Sequence, residues 1–93
     1  MAKRQPATLD LATASVSQLA GTLEAYRLDR IWNYRQLTDD INAAIPSADL
    51  SESTVYRFVT KPGRPKNVLT VYVMRRYLLQ VYAAAAADTG GRR

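Results

Sequence analysis

Hydrophobic residues in the first half of the chain recur every three or four positions, which is the period of an α-helix. The first such run consists of Val16, Leu19, Leu23 and Tyr26. Ser15 and Gln18 stand where a capping box needs a hydroxyl and, three residues later, a side-chain amide. This pattern predicts a first helix from Ser15 to about Arg30.

A second run follows, and Asn33 with Gln36 repeats the capping arrangement. Its inward positions are Leu37, Ile41 and either Ala44 or Ile45, and its outward positions are Thr38, Asp39, Asp40 and Asn42. Proline disfavours helical geometry in the residue before it, so Pro46 predicts a helix that ends near Ile45. Residues 46–49 are predicted to form a loop.

The third predicted helix is short and two-sided. Ser51 is one candidate N-cap, and Asp49 paired with Glu52 would make an equally good capping box two residues earlier. Val55 and Phe58 are three positions apart and share the inward face. The outward face carries Ser53, Tyr56 and Arg57. We expect this helix to stop before Pro62-Gly63.

A long apolar segment follows, with Asn67 as its predicted cap. Eleven of the fifteen residues from Val68 to Tyr82 are apolar, and they are not confined to one stripe. Leu69–Val73 alone could form a strand, because it is rich in β-branched and aromatic residues. We favour a helix, because the pattern continues without a turn signal into Ala83–Ala87 and ends only at Gly90-Gly91.

These elements predict an all-α fold, a compact bundle of four to five helices with a long apolar C-terminal helix. Residues 1–14 are expected to be a flexible basic arm, residues 15–87 the folded domain, and residues 88–93 a flexible tail. A helix that is apolar nearly all round is buried on more than one side. The last helix is therefore predicted to serve both the core and a homodimer interface. The residues predicted for that interface are Met74, Leu78, Val81 and Tyr82.

Charge is distributed unevenly along the 93 residues, whose net charge is +5. Residues 1–50 carry five basic and six acidic side chains, whereas residues 51–93 carry eight basic and two acidic ones. Between Arg57 and Arg76 there are six basic residues and no acidic residue. A solvated face normally mixes both signs, so this run favours an anion-binding surface.

Several function classes are excluded by what the chain lacks. Without cysteine or histidine it has no ordinary zinc site, no Cys–His or Ser–His–Asp nucleophile and no imidazole acid–base chemistry. Asp39 and Asp40 are adjacent on a helix and so point about 100° apart. We therefore expect no enzyme, no cofactor, no metal and no small-molecule substrate. No apolar run approaches the ~20 residues of a membrane helix, so a soluble, cytoplasmic protein is expected.

The middle of the chain resembles the lambda-repressor-like, or Cro/Xre-type, helix-turn-helix family. Residues 37–41, Leu-Thr-Asp-Asp-Ile, are similar to the first helix of that motif. Residues 51–58, Ser-Glu-Ser-Thr-Val-Tyr-Arg-Phe, are similar to its recognition helix, and residues 63–69 to the basic, proline-containing segment after it. The resemblance covers about residues 34–80, with a lengthened turn at residues 43–49. It implies a helix-turn-helix whose third helix enters the major groove of double-stranded DNA.

The resemblance also implies a role for each matching residue. The residues expected to approach base edges are Glu52, Ser53, Tyr56 and Arg57, with Arg57 the expected reader of guanine. The residues expected to contact phosphates are Tyr34, Arg35, Gln36, Ser51, Thr54, Lys61, Arg64 and Lys66.

The resulting hypothesis is a sequence-specific, homodimeric transcriptional regulator, typically a repressor of a phage, plasmid or mobile-element promoter, associated with the nucleoid. Two alternatives stay open at this point. The same fold could serve as a protein-interaction adaptor or antitoxin, or it could bind DNA architecturally without sequence preference. The steepness of the salt dependence and the selectivity for sequence distinguish the three.

Overall fold

Four α-helices build the protein in a computed structural model that describes residues 10–64 and 67–91, with side chains in the last helix as far as Ala83. The helices are α1 (Val16–Arg30), α2 (Tyr34–Ala44), α3 (Glu52–Thr60) and α4 (Val68–Gly91), with a 3₁₀ turn at Pro46–Ala48. The prediction of an all-α bundle with a long C-terminal helix is confirmed. None of the helices in the described part of the chain is long and apolar enough to cross a membrane.

Side-chain caps fix where the helices begin. Ser15 and Gln18 form the predicted capping box of α1, and Asn33 and Gln36 form that of α2. Ser51 caps α3 by accepting a hydrogen bond of 3.1 Å from the Thr54 amide. The alternative cap at Asp49 is wrong, because Asp49 lies outside the helix in the left-handed region at φ 47°.

The Asn67 side chain accepts from the Leu69 amide at 2.7 Å, as expected of the cap of α4. The segment Leu69–Val73 is helical, so the strand alternative is wrong. Within this segment, α4 presents Val73 to the core while Leu69 stays on the surface.

The connection between α2 and α3 is held by one side chain. Asn42 Nδ2 donates to the Leu50 carbonyl at 2.9 Å, and the Leu50 amide donates to Asn42 Oδ1 at 2.8 Å. Ile45 is buried under the turn. The lengthened connection therefore has its own packing and hydrogen bonds. Thr38, predicted to face outward, is buried instead, and its hydroxyl donates to the Tyr34 carbonyl at 2.7 Å.

A single hydrophobic core lies where α1 packs against α3 and α4 and where α2 packs against both of them. Its largest fully buried side chains are Tyr77, Phe58, Leu19, Leu23, Leu37, Ile41, Met74, Leu78 and Val55. Met74 and Leu78 are 0% exposed, so their assignment to a dimer interface is wrong. A bundle this small needs the long side chains of α4 to fill its own centre. Val81 is partly buried against the same core, and Tyr82 keeps 40% of its surface exposed.

Residues 10–14, predicted as part of a flexible arm, form a turn fixed to the bundle. Ala14 is buried in the core. Arg75 in α4 donates to the Leu11 carbonyl at 2.8 Å and to the Ala14 carbonyl at 2.9 Å. These two hydrogen bonds join positions more than 60 residues apart in the chain. The remainder of the predicted arm, residues 1–9, lies outside the described residues.

Candidate nucleic-acid interface

Basic side chains from α3 and the loop after it line one concavity of about 410 Å³, which we call the cationic pocket. Its cations are Arg57, Lys61 and Arg64, and the rest of its lining is Thr54, Phe58, Asn67 and Thr70. No acidic residue is among these lining residues. Guanidinium, ammonium, hydroxyl and amide groups facing one space form a donor-rich environment suited to a phosphate oxygen.

The exposed side of α3 borders a second, shallower concavity with a volume of about 550 Å³. It is lined by Glu52, Ser53, Tyr56 and Arg57. We call it the outer face of α3. All four side chains are exposed. They combine one carboxylate, two hydroxyls and one guanidinium, which are groups that read the edges of bases. The structure therefore brings all four predicted base-contacting residues together.

The helical period explains why the two surfaces adjoin. Val55, Phe58 and Val59 are buried and fix one side of α3 against the core. At about 100° per residue, position 57 points away from the core and falls between positions 53 and 56 on one flank and position 54 on the other. Arg57 accordingly lines both the cationic pocket and the outer face of α3. It is the one side chain that these two surfaces share among the residues described.

Tyr34 supports the outer face of α3 from behind. Its hydroxyl donates to Glu24 Oε1 at 3.1 Å, and its ring meets the Tyr56 ring edge-on, with centroids 5.1 Å apart. The Arg27 guanidinium lies 4.2 Å from the centre of the Tyr34 ring. Burial, and then the bond to Glu24, raise the pKa of Tyr34 above its ordinary value. The Tyr34 hydroxyl, predicted to contact a phosphate, is thus hydrogen-bonded inside the fold, and the Tyr34 ring supports Tyr56.

The other residues predicted at the start of α2 are exposed. Arg35 and Gln36 are both at the surface, and Gln36 Oε1 accepts from the Asn33 amide at 2.9 Å as part of the capping box. Neither residue is among those that line the cationic pocket or the outer face of α3. A DNA contact by these two side chains stays a prediction.

Ser51 and Thr54 lie at the N-terminus of α3. Their hydroxyl oxygens are 2.9 Å apart, and Ser51 also caps the helix. Thr54 reaches the cationic pocket, whereas Ser51 is not among its lining residues. Lys66, the last predicted phosphate contact, lies outside the described residues.

Two of the arginines near α3 have no acidic partner among the described residues. The Arg27 guanidinium, by contrast, pairs with Glu24 beside the Tyr34 ring. Arg57 and Arg64 are exposed and form no ion pair with any described carboxylate. Their charge is therefore not neutralised inside the protein, and the pocket carries a concentrated positive potential.

Sequence reasoning misses two parts of this pocket. Thr70 lies in an apolar run, where it is not singled out, and Asn67 is predicted only as a cap. Thr70 is one of four residues in Val68–Tyr82 that are not apolar, and it lies one helical turn after the cap at Asn67. That spacing is the signal that could have placed both on the face towards the basic loop.

No family model, no curated protein and no solved structure matches this chain. The functional argument accordingly depends on the geometry and charges of the described residues.

Proposed function

We propose that this protein is a sequence-specific, double-stranded DNA-binding transcriptional regulator that inserts α3 into the major groove. The observation that carries the proposal is the position of Arg57, between a pocket lined by cations and a helix face lined by base-reading groups. A protein that reads DNA needs both kinds of contact at once, because phosphates give affinity and register while base edges give selectivity.

The cationic pocket suits the DNA backbone. A phosphate seated there would meet the guanidinium groups of Arg57 and Arg64 and the hydroxyl of Thr70. Guanidinium–phosphate contacts are strong because they are charge-assisted and often bidentate. Each phosphate neutralised releases counterions, so the affinity would fall steeply as salt rises.

The outer face of α3 suits base edges. Glu52 can accept from a cytosine amino group, Ser53 can donate or accept, and Arg57 can make a bidentate contact with guanine. The edge-on contact with Tyr34 limits the freedom of the Tyr56 ring. A side chain held in place before binding loses less entropy on contact, which favours selectivity.

The wider setting of this function follows the same argument. A single short helix reads few bases, so we propose that the protein acts as a homodimer on two half-sites, as small regulators of this type do. A cytoplasmic, nucleoid-associated repressor that needs no cofactor is the form that we propose.

The experiment is a fluorescence-anisotropy titration of a duplex selected from a genomic fragment pool and of random duplex, each at two salt concentrations. Arg64→Ala should weaken binding to both duplexes alike and reduce the slope of log affinity against log salt by about 0.9. Arg57→Ala should cost about tenfold or more on the selected duplex and narrow its advantage over random DNA.

Arg30→Ala is the matched control. It removes one exposed arginine from α1, where the guanidinium lies over the Tyr26 and Trp32 rings. Its affinity for the selected duplex should stay within about twofold of wild type, since Arg30 lines neither the cationic pocket nor the outer face of α3 and an exposed charge is screened by salt. If wild type binds neither duplex at low salt, the proposal is overturned.

A second candidate is an architectural DNA binder without sequence preference. It is favoured by the fact that Arg57 lines the cationic pocket together with Lys61 and Arg64, where it could serve the backbone alone. In that case wild type would bind both duplexes equally, and Arg57→Ala would weaken both by the same factor.

A further inference from the structure

The surface of α4 that faces away from the core carries a regular apolar stripe. Leu69 is 72% exposed, Tyr72 57% and Leu79 41%, and Arg76 is exposed between the last two. These four residues, which we call the α4 stripe, follow a 3-4-3 spacing. That spacing keeps them within about 80° of arc on the helix. Met74, which is completely buried, points to the opposite side.

A 3-4 spacing of large side chains is the pattern by which two helices pack along a shared seam. The seam here spans about 15 Å, or nearly three turns. In one chain alone, these side chains are left in water. The stripe thus has the geometry of a helix–helix contact that the described chain does not satisfy by itself.

The four positions of the stripe are symmetric about position 74. Leu69 and Leu79 lie five residues from that position on either side, while Tyr72 and Arg76 lie two residues from it. Two such helices packed antiparallel around this centre would pair leucine with leucine at both ends. In the middle, each tyrosine would meet the partner's Arg76. We infer that a second copy of this chain packs antiparallel on the α4 stripe.

The positive charge of Arg76 favours the antiparallel pair over a parallel one. In a parallel pair, Arg76 would face the partner's Arg76, and two like charges would be brought together in a desolvated seam. In the antiparallel pair, each guanidinium meets the ring of the partner's Tyr72, a favourable cation–π contact. Arg76 already reaches towards its own Tyr72, with Nη1 3.4 Å from the hydroxyl oxygen. The guanidinium is therefore placed on the stripe before association.

A groove next to the α4 stripe could receive side chains of a partner helix. A groove of about 630 Å³ lies between α4 and the 3₁₀ turn, and its walls include Ile45, Leu50, Leu69 and Tyr72. The same patch thus presents both a ridge and a groove. A two-fold dimer requires a self-complementary patch of this kind, because the same surface is used on both subunits. A standard interface buries about 800 Å² on each partner, so the seam needs this groove as well as the stripe.

For its biological role the inference rests on the proposed function, since a dimer brings two copies of α3 to two half-sites. The association itself needs no DNA. It is measured by sedimentation equilibrium of the whole chain, without nucleic acid, for wild type, Leu69→Lys, Leu79→Glu and the double variant.

Wild type should dimerise, and each single variant should weaken the dimer by about tenfold or more, because it buries an unpaired charge. In the double variant, the antiparallel register sets each introduced lysine against the partner's introduced glutamate, and dimerisation should return. In a parallel seam the lysines would face each other, and the double variant would be weaker than either single one.

Ala25→Lys on the exposed side of α1 is the control, and it should leave the dimer unchanged. Circular dichroism of each variant checks that the monomer folds, which we expect because both leucines are exposed. A monomeric wild type, or a double variant that stays monomeric while folded, would overturn the inference. Salt-sensitive binding of a half-site duplex by a monomeric protein would overturn the dimer and leave the proposed DNA recognition by α3 standing. A dimer that binds no DNA would support the inference about the α4 stripe and overturn the proposed DNA-binding function.

Discussion

Arg27 in α1 and the arginines around the loop after α3 are the same residue type in unlike surroundings. Arg27 donates to both carboxylate oxygens of Glu24, at 2.8 and 2.6 Å, and to the Trp32 carbonyl at 2.8 Å. Its side chain is only 15% exposed. Arg57 and Arg64 are exposed and have no carboxylate partner among the described residues.

The difference indicates how a small domain divides its positive charge. An arginine whose guanidinium is satisfied internally ties elements together, as Arg27 does for α1 and the start of α2. An arginine that points into solvent beside other cations contributes little to folding and raises the free energy of the compact state by repulsion. Such an arrangement is expected where an external anion completes the site.

Arg27→Met offers the largest test of this contrast, because methionine keeps the apolar stem and removes the charge. We expect the free energy of unfolding to fall by about 1–2 kcal/mol, since Glu24 and the Trp32 carbonyl lose their donor while staying partly buried. The value lies below that of a fully buried pair, because the Glu24 side chain is 31% exposed. Urea denaturation monitored by circular dichroism measures it.

Arg57→Met is the matched control and should change the free energy of unfolding by less than about 0.5 kcal/mol. If both variants lose the same stability, the two arginines do not differ in role and the comparison fails.

The Glu24 carboxylate gives a second, pH-dependent test. Its hydrogen bonds from Arg27 lower its pKa from the ordinary value of 4.5, against the opposing effect of burial. The folded state therefore holds this proton less tightly than the unfolded state, so the stabilisation is present above pH 4.5 and is lost as the pH falls below it. Wild type should therefore lose part of its free energy of unfolding on this account between pH 6 and pH 3.

Glu24→Gln is the variant that isolates this effect. It keeps the shape of the side chain but cannot titrate, so its stability should change less with pH over the same range. Parallel pH curves for the two proteins, from urea denaturation at half-unit steps, would show that the pair does not contribute to acid stability.

The helix starts could be predicted because their causes are local. Ser15 with Gln18 and Asn33 with Gln36 satisfy the first amides of a helix within four residues of chain, so the sequence alone contains the interaction. The outward residues of α3 are predictable for the same reason, since Val55 and Phe58 fix which side is buried.

The errors arise where distant parts of the chain meet. The apolar residues of α4 surround the helix, and the pattern cannot say which of them α1 and α2 cover. The pattern therefore predicts an interface role for Met74 and Leu78, although they fill the core. The turn at residues 10–14 is fixed to the bundle by Arg75, more than 60 positions away in the chain, which no local pattern can predict.

The candidate site divides in the same way. The base-reading residues lie on one short helix and are recognisable from its period. The cationic pocket forms only where α3, the basic loop and the start of α4 converge, so Thr70 becomes part of it through tertiary packing. Tyr34 stands at a sequence position typical of a phosphate contact, yet its hydroxyl donates to Glu24 on α1.

The smallest expected effect concerns the repulsion among Arg57, Lys61 and Arg64, which line one pocket. A divalent anion that occupies the pocket should relieve it and stabilise the folded state by mass action. Sulfate at about 10 mM should raise the melting temperature of wild type by about 1–3 °C above sodium chloride of equal ionic strength. In the variant with Arg57→Met and Arg64→Met, this difference should shrink to the general effect that sulfate has on apolar surface. Differential scanning fluorimetry of both proteins measures it, with Arg30→Met as a variant that loses one charge elsewhere and should respond as wild type does. An equal response from all three would mean that sulfate acts on the whole surface, and that these cations form no anion site.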